Sequence, residues 1–526
     1  MRPGVWQPPV DLTAAEAKVV QRIKRAKLFV FLRRWRHVLF DEGFQQELAE
    51  GYVASPLGQP PIPPAQLALA TILQAYTGVS DDEVIEATVM DRRWQLVLDC
   101  LDTEEAPFSK GTLVAFRQRL IAADLDRRLI ERTIEVAQAQ GGIGSRQLRA
   151  ALDSSPLWGA GRVEDTYNLV GHALRQVVGV LARQQGRELA VVAQELGVGV
   201  VAGSSVKAAL DLNWDEPAAR DQGLAVLLGA LTTLATHLGE RTVPSAEAEA
   251  PPLAATAALA VAQQVRDQDV VVGEDGVTHL RQGVAKDRRI SVEDAQMRHG
   301  RKSRSQRIDG FKRHVLRDLD THLVVAVGLT PANAPEASVT EALARDLHHQ
   351  AAVLAELHID RAYLTSHWVR ERPDDLLIVC KAWPVRNGPR FPKTAFTLDW
   401  QHQLLTCPHQ VTLPFTPGQT VHFPAAICAA CPLRERCTTS RSGRSVAIHP
   451  DERLLSEFRE QVQTPAGRTQ LRERVAVEHS LAHFGAWQGR RARYLGLRKN
   501  LFDLRRVAVV HNLHVLAPLP AFAAAA

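Results

Sequence analysis

ALDSSPLWGAGRVEDTYN, residues 151–168, decides how the chain is read. The run Gln147–Leu152 leading into it is short and apolar, and a lone acid, Asp153, follows before a polar, glycine-bearing loop. That is the pattern of a buried strand with a carboxylate at its C-terminal tip. LHIDRAYL (357–364) repeats it, with Asp360 at the tip. GFKRHVL (310–316) and HLVVAVGL (322–329), separated by RDLDT, read as two antiparallel strands, and LLIVCKAW (376–383) as another apolar run of strand length. A loop and helix fill TPANAPEASVTEALARDLHHQAAVLAEL. The result is a mixed α/β unit with two aspartates at strand ends, where ligands of such sheets bind.

Outward from this unit the chain turns helical. Residues 1–140 read as short helices: one amphipathic segment at Glu16–Leu39, then Pro64–Thr77, then Asp81–Met90 capped by Ser80, then a helix capped by Ser109 or Thr112. With Arg117 and Arg119 near its end, this region suits either a helix-turn-helix DNA reader or a plain helical bundle. GGIGS (141–145) reads as a linker. Residues 167–238 are again helical, and RTVPSAEAEAPP (241–252) is a low-complexity linker. No G-x-G-x-x-G or P-loop pattern stands in a strand-to-helix setting, so a nucleotide-driven motor is unsupported.

At 526 residues the chain is too long for one core. Its 45% hydrophobic content supplies the apolar material for several. No run approaches the ~18 apolar residues of a membrane span, and the N-terminus has no signal-peptide pattern. A reducing cytoplasm is the expected compartment, with thiols or metal ligands rather than disulfides. The net charge of +5 is a weak argument for a polyanionic partner; local clusters say more.

One cluster is sulfur. Cys407, Cys428, Cys431 and Cys437 follow the spacing C-x20-C-x2-C-x5-C inside a proline-rich region, 386–450. The C-x2-C pair suits a structural Zn²⁺, with reduced thiols as the alternative, and four thiolates would leave no open catalytic position. Cys100 and Cys380 sit in apolar contexts and read as core.

The other cluster is RVAVEHSLAHFGAWQGRRARYLGLRKN (474–500), one acid at the head of a basic run. On a helical wheel started at Leu471, Glu478 falls with Val475 and Ala482 on the apolar stripe. A buried carboxylate must be paired, protonated or bound to a cation. Either Arg474 pairs with it, or Glu478 joins Asp153 and Asp360 as a metal ligand. Three carboxylates are a natural set for Mg²⁺ or Mn²⁺, and two such ions clamp the attacking and leaving oxygens of a phosphoryl transfer. Arg474, Arg490, Arg491, Arg493, Arg498 and Lys499, with Arg301, Lys302 and Lys312 of the earlier basic tract, are then the expected contacts to a phosphodiester backbone. Trp487 and Tyr494 could stack on an unpaired base. His479 and His483 are spaced as in a zinc hydrolase helix, but H-E-x-x-H needs its Glu directly after the first His.

These stretches, taken in order with HGRKSRSQRIDGFKRH, the TPAN loop and the C-x2-C-P-L-R-x-R-C insert, resemble bacterial insertion-sequence transposases of the DDE superfamily. SPLGQPPIPPAQLALATILQAYTGVSDDEV is similar to the helical N-terminal domain of that group. The resemblance implies a ribonuclease H-like mixed sheet with an all-α N-terminal domain, a helical insertion and a small Cys-rich zinc-type insert. It implies a catalytic, Mg²⁺-holding triad of Asp153, Asp360 and Glu478, double-stranded DNA as partner, no membrane, a homodimer or higher assembly, and a nucleoid-associated cytoplasmic location. In the relatives' Tyr-x2-Arg-x3-Glu-x6-Lys signature, Arg474 and Glu478 match, while Leu471 and Gly485 replace the Tyr and Lys. The expected division is 1–145 (helical, DNA-end-binding), 146–166, 286–385 and 451–526 (catalytic core), 167–285 (helical insertion) and 386–450 (Cys-rich insert). A catalytically silent DNA binder, or a nuclease without strand transfer, is the alternative reading.

Overall fold

The computed structural model describes residues 2–52, 60–143, 147–240, 253–274, 276–302 and 305–523. The linker read at 241–252, the end of GGIGS and the centre of HGRKSRSQR (303–304) lie outside them.

Five strands form the central sheet: β1 (Gln147–Trp158), β2 (Arg307–Asp318), β3 (Val324–Pro331), β4 (Val353–Ile359) and β5 (Leu377–Cys380). Their order is β3-β2-β1-β4-β5, and a short strand, Arg298–Arg301, pairs with the start of β2. β1, β2 and β3 are mutually antiparallel, whereas β4 runs parallel to β1 and β5 parallel to β4. The predicted end of β1 at Leu152 is corrected: the strand continues to Trp158. Its parallel pairing does stop at Leu152, opposite Ile359; beyond it the strand pairs with β2, and only at Trp158 does its backbone also meet Arg490 and Ala492. Pro156, which has no N–H to donate, is accommodated in that one-sided stretch.

Helices Pro64–Thr77 and Asp81–Met90 keep the predicted bounds, the second with a Ser80–Glu83 capping box. The single helix expected at Glu16–Leu39 is instead two, Ala14–Arg22 and Lys27–Leu39. The break lets Glu16 turn back onto the buried Arg33 at 2.5 Å. The N-terminal helices form a bundle that shares one apolar core with the sheet. At its centre lies helix Leu497–Leu516, buried nearly all round. Asn512 accepts from the Val324 amide at 2.8 Å and donates to the Val324 carbonyl and to Thr133, joining strand, bundle and helix in one contact.

Three further apolar clusters stand apart among the described residues, the smallest around Leu157, Met297 and Phe311. Helices Thr166–Gln184, Pro217–Glu240 and Leu253–Asp269 enclose one between Asp153 and Asp360 in the chain. By length and composition, Pro217–Gly239 could cross a membrane. Here its Leu224, Leu227, Leu231, Leu234 and Leu238 are buried against the neighbouring helices. The Cys-rich region has a small apolar core of its own, including Phe396, Leu405, Phe415 and Phe423.

Candidate active site

Asp153 and Asp360 directly follow Leu152 and Ile359, which face each other in the parallel β1–β4 pair. The register therefore sets the two aspartates side by side. Asp360 also opens a single 3-10 turn, Arg361–Tyr363, whose Tyr363 is fully buried. The Tyr363 hydroxyl shares a 2.8 Å hydrogen bond with His314 of β2, and His314 meets Thr330 of β3 at 2.9 Å. Burial drives the His314 pKa down to about 3, so this imidazole is neutral and serves as an anchor for the Asp360 turn.

Glu478 comes from helix Val475–Trp487, which packs over β1 and β2. The predicted direction of Glu478 is corrected. Val477, Ser480, Leu481 and Phe484 face the sheet, while the Glu478 side chain is 49% exposed and Val475 and Ala482 are exposed beside it. The wheel grouped Val475, Glu478 and Ala482 on one face correctly, but that face is the solvent side, because Leu481 and Phe484 on the opposite side pack on the sheet.

Arg474 sits between this helix and the one before it, Pro465–Glu473. Its guanidinium donates to Asp153 Oδ2 at 2.6 Å and to Glu478 Oε1 at 2.8 Å. Glu478 is thus ion-paired to Arg474, which it shares with Asp153, and the charge of Asp360 also acts on that guanidinium. Burial works against the Arg474 charge, but Asp153, Glu478 and Asp360 together outweigh it and raise its pKa. For Asp153 the balance is reversed. Burial raises its carboxyl above the ordinary aspartate value despite Arg474.

The Glu helix is fixed from below. Arg317 of β2 donates to the Ala476 carbonyl at 2.5 Å and to Ser480 Oγ at 2.9 Å. Arg149 of β1 reaches Glu473 at 2.6 Å and Glu356 of β4 at 3.0 Å. Glu356, His358 and Glu473 offer ligand atoms within 4.8 Å of one another, spacing that a metal could use. Here Arg149 already supplies the cation, so the group acts as a strut under the site. Burial alone would raise Glu356, but hydrogen bonds from Arg149, Gln470 and His358 prevail and hold it at about 2. A depressed carboxyl stabilises the fold above its unfolded value of 4.5, and this is lost as pH falls toward 2. Wild type should exceed Glu356→Gln by about 3 kcal/mol at neutral pH, with the gap closing between pH 4.5 and 2. Denaturant melts across that window check it; a constant gap would contradict the assignment.

The basic run divides. Arg490 and Lys499 are exposed, as are Arg301 and Lys302. Arg490 and Arg491, with Trp158 and Arg162, line a cavity of about 590 Å³ at the end of β1. Arg491 also caps the Gly159 and Ala160 carbonyls. Other members hold the fold together. Arg493 donates to the Val79 carbonyl, Arg498 pairs with the fully buried Asp126, and Lys312 donates to the Ala334 carbonyl at 3.0 Å. Trp487 packs among His483, His511 and His514, and the Tyr494 hydroxyl meets Arg117 at 3.4 Å, so neither ring lies free along the run. Arg117 and Arg119 are likewise engaged, by Asp81 and by the Tyr52 ring.

Cys407, Cys428, Cys431 and Cys437 line a single cavity, although their sulfurs are not drawn together at metal-ligand spacing. Burial raises the Cys437 thiol, and the three other cysteines raise it further, so their charges act on one another. Cys100 and Cys380 are buried, as read from the sequence.

The residues that sequence reasoning missed are the supports: Tyr363, His314, Arg317 and Arg149. Only the adjacency of Tyr363 to Asp360 gave any signal.

Family models match three stretches of the chain. Transposase DDE domain models match residues 278–374 and 406–517, covering Asp360 and then Arg474 and Glu478. A Transposase domain (DUF772) model matches residues 19–119, the helical bundle. Asp153 and the helices of the insertion, the last of which ends at Asp269, fall outside all three. No curated protein and no solved structure gives a match. With three transposase matches in consecutive order along one chain, the protein belongs to the DDE transposases.

Proposed function

We propose that this transposase cuts DNA at the ends of its own insertion sequence and joins the freed 3′-hydroxyl ends to target DNA, with Asp153, Asp360 and Glu478 as the catalytic acids. The observation that carries the reading is that Arg474 pairs with Asp153 and Glu478 and feels the charge of Asp360, where the parallel β1–β4 pairing stops. The strand order β3-β2-β1-β4-β5 supports a ribonuclease H-like core.

The donor set suits a hard divalent cation. It consists of carboxylates, and Asp360 and Glu478 are open to solvent, which leaves room for water and phosphate oxygens. Asp153, Asp360 and Glu478 would hold Mg²⁺ or Mn²⁺, two ions of which supply Lewis-acid activation of the nucleophile and offset charge on the phosphate. The chain's own part is positioning. Arg317 and Arg149 hold the Glu helix, and Tyr363 holds the Asp360 turn. Arg490, Arg491 and Lys499, with Arg301 and Lys302, neutralise backbone phosphates. In the first step water attacks a terminal phosphodiester and leaves a 3′-hydroxyl. In the second, that hydroxyl attacks a target phosphodiester, forming one phosphodiester and releasing a target 3′-hydroxyl.

The four cysteines of the insert would hold a structural Zn²⁺. Their common cavity, and the rise of the Cys437 thiol caused by burial and by its three neighbours, fit a group that a cation would relieve. A homodimer or higher assembly on DNA, a cytoplasmic setting, and DNA-end binding by the helical bundle complete the proposal. Nicking of end-containing DNA with Mg²⁺ but not with EDTA tests it; DNA bound yet never nicked in Mg²⁺ would instead favour a silent DNA binder.

A further inference from the structure

We propose that Arg474 is a positioning residue that couples DNA binding to metal binding, because its guanidinium competes with the divalent cation for Asp153 and Glu478 until a DNA phosphate draws it away. This rests on the function proposed above and adds to it the order in which the site is filled.

Arg474 donates to Asp153 Oδ2 at 2.6 Å and Glu478 Oε1 at 2.8 Å, using the two ends of one planar fork. A divalent ion held by the same two carboxylates would therefore face a guanidinium already seated on one oxygen of each, and the two cations neutralise the same negative charge and repel each other. The Arg474 backbone is fixed as the hinge between Pro465–Glu473 and Val475–Trp487. Its side chain, at 26% exposed, is nevertheless within reach of a ligand in the cleft. Guanidinium binds phosphate with the same bidentate geometry as carboxylate. A phosphodiester arriving at the site therefore offers Arg474 an equivalent partner and frees two carboxylates. Among the described residues Asp360 has no ion-pair partner, so it stands ready while the other two are held. The physical consequence is a site that gathers its metal ligands chiefly when substrate is present.

Linkage makes this measurable, because two ligands that assist each other do so by the same factor in both directions. Mn²⁺ is titrated into the full chain and free ion is followed by electron paramagnetic resonance. The titration is repeated with a saturating duplex of flanking DNA, and binding to the duplex alone is subtracted. For wild type, DNA should raise Mn²⁺ affinity about tenfold. Arg474→Gln should bind Mn²⁺ about tenfold more tightly than wild type without DNA, and DNA should then add little. Arg474→Lys keeps a cation that reaches fewer oxygens, should fall between the two, and carries the test if the glutamine variant does not fold. The proposal is overturned if removing the guanidinium leaves Mn²⁺ affinity unchanged or weaker, or if DNA raises it equally in wild type and variant. Failure of the wild type to bind DNA at all, read by anisotropy, would overturn the transposition reading, whereas the DNA-free arm would still decide the competition.

Discussion

Asp153→Asn is expected to lower DNA cleavage by about a thousandfold or more while leaving the protein folded. The substitution keeps the shape of the side chain and removes its charge. A metal ligand contributes several kcal/mol of charge stabilisation to the transition state, and each 1.36 kcal/mol lost is a factor of ten in rate. Stability should respond much less. Burial already raises the Asp153 carboxyl, so the ionised form is held against a desolvation penalty that asparagine does not carry. Arg474 keeps its second partner, Glu478, at 2.8 Å. The same loss is expected for Asp360→Asn and Glu478→Gln. Cleavage of end-containing DNA and a thermal melt, made on each variant, check this together. A variant that cuts at near wild-type rate would remove its residue from the catalytic set.

Cys431→Ser is expected to empty the zinc site and unfold the insert while sparing the rest of the chain. A structural Zn²⁺ contributes ≈10–16 kcal/mol to small domains of this kind, far beyond what a few buried phenylalanines supply. The apolar core of the insert is separate from the core that joins sheet and bundle, so its loss should not propagate. Metal analysis should find about one zinc per wild-type chain and less in the variant, and proteolysis should cut the variant within 386–450. Wild-type protein without zinc would contradict the site.

Much of this was legible in the sequence because it rests on local signals. Ser80 and Pro64 mark their helices through capping chemistry that acts within one turn. Asp153 and Asp360 follow short apolar runs, and an acid directly after such a run is readable without a partner, although β1 itself continues past Asp153 to Trp158. The strand order and the β1–β4 register required pairing across some 200 residues, which only the fold supplies. Glu478 was found by composition and misdirected because the face of Val475 and Ala482 was read as the buried one, whereas Leu481 and Phe484 on the other side meet the sheet. The supports were hidden for another reason. Arg317, Arg149 and Tyr363 look like ordinary strand or loop residues until the partner they reach is known. The basic run was over-read in the same way, because Arg493 and Arg498 meet the bundle, which lies far away in the chain.

The most direct test of the central claim is to incubate the purified protein with its own flanking DNA, a target duplex and Mg²⁺, and to map every new 3′ end at nucleotide resolution. Transposition by Asp153, Asp360 and Glu478 predicts 3′-hydroxyl ends at the element boundary and the same ends covalently joined to target DNA, both absent in EDTA and in Asp153→Asn. Cut ends that are never joined, or no cut ends at all, would contradict it.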